Sequence, residues 1–165
     1  MVLYTYDDFT KHWSYNSAKK KNSDPVGYEK SITQLFSLMW WTMLPLSVGI
    51  ALFSQSIITL LYGTVYNASA SVLAIHVFSN IPVALGVAQG IWIINEAKNT
   101  LSLSKTVIGA ISNVLLNLLL IPKYGALGAA SATVCSQMIA AVVSNIFLDP
   151  AIFKKQIISI AGWQK

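Results

Sequence analysis

Four of the carboxamide side chains inside the long apolar stretches of this sequence stand out as candidate functional groups. They are Asn80, Gln89, Asn113 and Asn117. An amide offers both hydrogen-bond donors and an acceptor, so it can bond to a neighbouring helix or line a path for a polar solute. An unpaired amide in apolar surroundings is costly, and we expect all four to face protein or a water-filled space. They are candidates for a substrate path, with bonding between helices as the alternative.

The residue combinations that enzymes use are missing from the sequence. It contains no GxSxG, no HExxH and no phosphate-binding P-loop motif. His76 has no second histidine, cysteine or carboxylate near it in the sequence, and Cys135 is the single cysteine. Metal sites and disulfides require several such side chains. We therefore expect no enzyme activity, no metal and no cofactor.

The charge distribution indicates that the four amides belong to membrane-spanning helices. Of the 165 residues, 55% are hydrophobic and 10% are charged, and residues 31–95 contain no Asp, Glu, Lys or Arg. Apolar runs of about 18 residues with almost no charge are typical of transmembrane helices. We predict an all-α, polytopic membrane protein whose spanning region covers residues 31–150. Its four spans are predicted at about 32–61, 71–95, 105–121 and 125–148.

The lysines predict how these spans are oriented, because the chain contains no arginine. Ten lysines lie before the first span, between the second and third, or after the fourth, whereas Lys123 alone lies in the loop between the third and fourth. Cytoplasmic loops carry an excess of positive charge, so both termini are predicted to be cytoplasmic. Residues 1–30 and 151–165 would then be cytoplasmic tails, with 1–17 left unassigned. No lysine is expected inside a span.

Small residues recur at four-residue spacing in two of the predicted spans. That spacing returns to one face of a helix, and small residues let helix backbones approach closely in lipid. We predict that these positions pack against neighbouring helices: Gly86, Gly90, Gly128, Ala132, Ser136 and Ala140.

Several short motifs resemble those of the polysaccharide (O-antigen type) flippases. The first, IITLLYG, begins at Ile57, and the second, NVLLNLLLIPKYGALGAASATVCSQ, covers residues 113–137. These flippases belong to the multidrug/oligosaccharidyl-lipid/polysaccharide exporter superfamily, and the resemblance runs from about residue 18 to 153. It implies a transporter of twelve or more helices in two lobes, of which this chain resembles the last four.

The resemblance also implies a function. Such flippases move undecaprenyl-diphosphate-linked sugars across the bacterial cytoplasmic membrane for surface polysaccharide synthesis, so the chain would be a C-terminal fragment that is inactive alone. Its partners would be the lipid bilayer, the N-terminal helices or a second copy, and the lipid-linked oligosaccharide; no nucleic-acid partner is expected. A diphosphate needs cations, and these are expected from other helices. The alternatives are a fragment of a related multidrug exporter and a small, non-transporting four-helix interaction module.

Overall fold

The computed structural model of the chain describes Tyr15, Lys21 and residues 23–161. The predictions for residues 1–14, 16–20, 22 and 162–165 therefore lie outside the described residues. Within the described part the chain is helical and contains no strand. The helices are α1 (Pro25–Leu52), α2 (Ser54–Tyr62), α3 (Ala68–His76), α4 (Asn80–Asn95), α5 (Asn99–Tyr124), α6 (Ala126–Met138), α7 (Ser144–Leu148) and α8 (Pro150–Ala161). A π-helical turn, Ile139–Val143, joins α6 to α7.

Four helical runs are long and apolar enough to cross a membrane. They are Pro25–Leu52, Ala68–Asn95, Asn99–Tyr124 and Ala126–Leu148. The prediction of an all-α, polytopic fold is confirmed. The first run ends at Leu52, so the predicted span of 32–61 corresponds to α1 followed by the separate helix α2.

The third run is longer than the sequence pattern indicated. It has 26 residues and begins at Asn99, where we expected a span of about 105–121. Its early turns contain Ser102, Ser104 and Lys105, whose polarity resembles that of a loop. The helix also continues through Pro122 and ends at Tyr124; the next residue, Gly125, has a φ of 58°, in the left-handed region that favours glycine.

The hydrophobic core lies between α1, α4 and α8. Ile32 and Phe36 of α1 pack with Leu85 and Trp92 of α4 and with Ile152 of α8, and all five side chains are buried. At the start of α1, Pro25 occupies the first turn and the Asp24 carboxylate accepts a hydrogen bond from the Gly27 amide at 2.9 Å. Both features are typical of a helix N-terminus.

The segment predicted as a C-terminal tail contains α8, which is docked against α1. The Ser37 hydroxyl donates to the Ser159 carbonyl at 3.0 Å, and Lys155 forms an ion pair with Glu29. Ile152, Gln156 and Ser159 are buried, whereas Lys154 on the same helix is exposed. Helix α8 is thus part of the folded bundle.

Helix α6 lies closely against α5 along its small residues. A Cβ added at Gly128 would come within 2.3 Å of the Leu120 carbonyl oxygen. Further along, a Cβ added at Gly109 of α5 would lie 2.9 Å from the Cβ of Ala140. Ala132 and Ser136, between these two crossings, are buried. The two helices therefore run antiparallel with their backbones near contact.

Candidate functional site

An open cleft of about 850 Å³ lies between α4, α5 and the run formed by α6 and the π-helical turn. Its polar lining includes Gln89, Ser102, Lys105, Thr106, Asn113 and Gln137. Aliphatic and small residues form the rest of the described wall, in which there is no carboxylate and no aromatic ring. The cleft is therefore a largely apolar space with several polar side chains in its wall, bounded by three of the four membrane-crossing runs.

Glycines keep the α4 side of this cleft open. A Cβ added at Gly86 or Gly90 would meet no atom within 4 Å, and both residues line the cleft. The packing against a neighbouring helix that the sequence predicts for these two glycines is not seen. The four-residue spacing correctly places them on one face of α4, but that face borders the cleft instead of another helix.

Asn113 lies at one side of the cleft in a chain of hydrogen bonds between α5 and α6. Its amide nitrogen donates to the Ser136 hydroxyl at 3.0 Å, and Ser136 donates to the Thr133 carbonyl at 3.0 Å. Asn117 lies behind it, with its amide donating to the Asn113 side-chain oxygen at 2.9 Å. Asn113 thus both bridges two helices and borders the cleft.

A cluster of buried polar side chains, Gln89, Lys105, Asn145 and Gln156, lies at the other side, where Gln89 and Lys105 line the cleft. The Asn145 side-chain oxygen accepts hydrogen bonds from Gln89, at 2.8 Å, and from the Lys105 ammonium. The Asn145 amide donates to the Ala141 carbonyl at 2.8 Å and to the Gln156 side-chain oxygen at 2.9 Å. We call these four residues the Asn145 cluster; it connects α4, α5, α7 and α8 through one side chain.

The π-helical turn supplies a further acceptor to the Asn145 cluster. Its central residue Ala141 accepts through the backbone carbonyl from both Asn145 and Gln156, the latter at 2.9 Å. A π-helical turn alters the normal hydrogen-bond ladder of a helix and often marks a functional position. Here the turn borders the cleft, which Ala141 lines.

Lys105 corrects the expectation that no cation lies inside a span. The helix begins six residues earlier than expected, at Asn99, so Lys105 lies in the second turn of α5 with only 7% of its surface exposed. Within residues 23–161 it forms no ion pair, and its hydrogen-bond partner is the neutral amide of Asn145. The sequence contained a clue, since Lys105, Gly109 and Asn113 follow at four-residue spacing and share one helix face.

Two of the other lysines near this end of the bundle have carboxylate partners beside the α4–α5 turn. Lys98 lies 2.7 Å from Asp149 and 4.5 Å from the centre of the Trp92 ring. Lys21 lies 3.0 Å from Glu96. These ion pairs connect the α4–α5 turn to neighbouring segments. Lys105 differs from Lys98 and Lys21 because its partner is neutral.

The remaining candidates lie away from the cleft. Asn80 is exposed at the first residue of α4 and does not line it, so the structure brings together only Gln89 and Asn113 of the four amides, with Asn117 behind. His76 and Cys135 are exposed and also lie outside the lining. Among the described residues no three His, Cys, Asp or Glu side chains are grouped as metal ligands.

The comparison with protein families decides the general kind of protein. A family model described as the lipid II flippase MurJ matches residues 15–162. The chain belongs to the MurJ lipid II flippase family. No curated protein and no solved structure matches it. MurJ-type flippases are membrane transporters for lipid-linked precursors, so the interpretation as a flippase for a lipid-linked precursor is confirmed in that general form. The matching family is that of the lipid II flippases, whereas the motifs suggested the polysaccharide type.

Proposed function

We propose that this chain provides part of the polar path through which a flippase moves a lipid-linked sugar precursor across the cytoplasmic membrane. The cleft between α4, α5 and α6 carries this proposal, because it brings polar side chains from three membrane-crossing runs to one open space. Amide side chains such as Gln89 and Asn113 suit a sugar, since they donate to and accept from hydroxyl groups. Asn117 supports Asn113 from behind.

The MurJ match favours lipid II, the peptidoglycan precursor, as the cargo. A lipid-linked oligosaccharide for surface polysaccharide, which the motif resemblance implied, is the second candidate. Both cargoes present sugars on a polyprenyl diphosphate. The described cleft wall contains amides that suit the sugars and a lysine that suits the diphosphate. The residues that line the cleft do not distinguish one sugar from the other.

The cleft lining argues against the two other classes of function. A cationic drug binds best beside aromatic rings or carboxylates, and the described lining has neither, with a lysine instead. A module that acts only by packing gains nothing from an open polar cleft, because unfilled polar surface inside a helix bundle costs stability. Transport of a neutral or anionic group fits the lining better than either alternative.

The proposal includes further helices that cover the open side of the cleft. Alternating access needs two bundles that move around a site near the middle of the membrane, and the described part of this chain provides walls on one side. We propose that these helices come from the N-terminal part of a flippase or from a second copy of this chain. The chain alone is then expected to insert in the membrane without moving cargo.

The experiment is complementation in bacteria depleted of their own lipid II flippase. The chain is expressed alone and together with the preceding helices of a MurJ-family protein, and growth and lipid II exposure on the outer leaflet are measured. We expect rescue only from the pair, and we expect it to be lost with Gln89→Leu or Asn113→Leu. Gln55→Leu, on the exposed surface of α2, is the matched control.

Two outcomes would contradict the proposal. Rescue by the pair that is unaffected by both cleft substitutions would remove the cleft from the path. Rescue of a strain that lacks its polysaccharide flippase, but not of the strain depleted of lipid II flippase, would identify the oligosaccharide as cargo and overturn the lipid II assignment. Immunoblots establish that every variant is expressed at the same level.

A further inference from the structure

We propose that Lys105 binds the phosphate group of a lipid that enters the cleft. Its place in the cleft wall and its neutral partner carry this inference, and the identity of that lipid as the flippase cargo rests on the proposed function. The phosphate site does not depend on the proposed function, because any lipid whose head group carries a net negative phosphate could occupy it.

The first step of the argument is the charge balance around Lys105. The Lys105 residue is 7% exposed, and its ammonium donates to the Asn145 side-chain oxygen, which is neutral. The Asp149 carboxylate in the same region is bonded to Lys98 at 2.7 Å and accepts from the Ile152 amide at 3.2 Å. Burial of a charge is costly unless an opposite charge or several hydrogen bonds compensate it. A bound anion would provide that compensation.

The second step is the geometry of the cleft wall. A lysine ammonium has three N–H donors, and Asn145 takes one of them in this arrangement. Ser102 and Thr106, one turn or less from Lys105 on α5, also line the cleft. Since the described lining contains no carboxylate, an anion that enters the cleft meets a positive charge in its wall and no negative one there. Hydrogen bonds between an ammonium and a phosphate are among the stronger ones in proteins.

The third step is the depth of Lys105 along α5. A helix of 26 residues is about 39 Å long, and Lys105 lies about 9 Å from its start. If α5 is centred on a hydrocarbon layer of about 30 Å, Lys105 lies about 4 to 5 Å inside the boundary. That level lies just below the lipid head groups, and the lysine distribution predicts that this boundary is the cytoplasmic one. The cleft would therefore receive a head group from the cytoplasmic leaflet.

Asn145 acts as a positioning residue for Lys105. Its oxygen is held by Gln89 on one side, and its amide is fixed by Ala141 and Gln156 on the other. The ammonium is thus oriented at the cleft wall by a group that does not neutralise it. Replacement of that oxygen by a carboxylate would give Lys105 a permanent counter-charge and should exclude a lipid phosphate.

The experiment measures lipid binding by the full chain in phosphatidylcholine nanodiscs. The two probes are farnesyl diphosphate, for the polyprenyl diphosphate of the cargo, and phosphatidylglycerol, for an ordinary anionic lipid. We expect Lys105→Met to weaken binding of farnesyl diphosphate by about tenfold or more, and Lys105→Arg to retain most of it. Lys123→Met is the matched control, because Lys123 is exposed at the opposite end of α5, beside the Tyr124 ring.

Asn145→Asp keeps Lys105 in place and tests the charge argument. We expect it to weaken farnesyl diphosphate binding by about as much as Lys105→Met does. Circular dichroism and size-exclusion chromatography establish that each variant is folded; if Lys105→Met fails to fold, the comparison of wild type, Lys105→Arg and Asn145→Asp decides. Equal affinity in wild type and Asn145→Asp, or in wild type and a folded Lys105→Met, would overturn the proposal.

The two probes separate the site from the cargo. If Lys105→Met and Asn145→Asp lose binding of farnesyl diphosphate but not of phosphatidylglycerol, the result supports a site for the cargo head group. Loss of binding to both probes supports a general site for anionic lipids, whatever the chain transports. Loss of phosphatidylglycerol binding alone would support the anion site but contradict its assignment to the cargo. The complementation experiment would then test the proposed function separately.

Discussion

At the scale of single residues, the same sequence pattern has two structural consequences in this chain. Gly128 and Gly86 both belong to small-residue stripes at four-residue spacing. Gly128 meets the backbone of α5, whereas Gly86 faces the open cleft. The spacing of residues fixes which face of a helix they share, but it carries no information about what that face meets. The spacing alone therefore could not show that the stripe on α6 meets α5 while the face of Gly86 borders a cleft.

Alanine substitutions at these two glycines should have opposite effects on stability. At Gly128 the added Cβ would lie 2.3 Å from the Leu120 oxygen, and overpacking of this kind costs about 1–3 kcal/mol. At Gly86 the Cβ meets no atom within 4 Å, and alanine favours a helix over glycine by up to about 1 kcal/mol. Thermal unfolding in detergent should show a lower midpoint for Gly128→Ala and an equal or higher one for Gly86→Ala. Equal midpoints for the two variants would mean that α5 and α6 do not approach closely.

At the scale of helices, the apolar runs were predictable and their ends were less so. Charge-free stretches identified the four crossing runs because the bilayer leaves few other solutions. The start of α5 was missed because Ser102, Ser104 and Lys105 have the polarity of a loop, although nothing in that segment breaks a helix. Lys105 was consequently placed at the edge of a span, and the cation of the cleft was overlooked.

Helix α8 shows a second limit of sequence periodicity. Its buried face is formed by Ile152, Gln156 and Ser159, and two of these side chains are polar. Such a face does not stand out as apolar, since Gln156 is buried through hydrogen bonds to Asn145 and Ala141 instead of through hydrophobic contact. Only the arrangement of α7 and the π-helical turn creates those partners.

Removal of the Gln156 side-chain amide should loosen α8. Gln156→Leu leaves the Asn145 amide and the Ala141 carbonyl each with one partner fewer, and unsatisfied buried groups cost about 1–3 kcal/mol. Hydrogen–deuterium exchange measured by mass spectrometry should therefore rise over residues 150–161. Lys154→Gln, on the exposed face of the same helix, should leave that exchange unchanged. The same exchange in both variants would show that α8 is held without the Asn145 cluster.

At the scale of the whole molecule, the orientation of the chain in the membrane determines whether Lys105 lies nearer the cytoplasmic or the outer side. The α4–α5 turn and the residues after α7 are at one end of the bundle, joined by the ion pair of Lys98 and Asp149. Lys123 lies at the far end of α5. With ten lysines on one side and Lys123 on the other, we predict that the end nearer Lys105 is cytoplasmic. A precursor made in the cytoplasm would then meet Lys105 before it meets Asn113.

Cysteine labelling in intact cells tests this orientation without a large insertion in either tight turn. In a Cys135→Ser background, a membrane-impermeant maleimide should label Lys123→Cys in intact cells, because that turn is predicted to face outwards. It should label Asn99→Cys, at the start of α5, only after the cells are permeabilised. Both positions are exposed, so a difference in labelling reports sidedness and not burial. Labelling of Asn99→Cys in intact cells, with Lys123→Cys protected, would reverse the molecule: Lys105 would then lie at the outer leaflet, where it would meet the phosphate of a lipid that leaves the cleft.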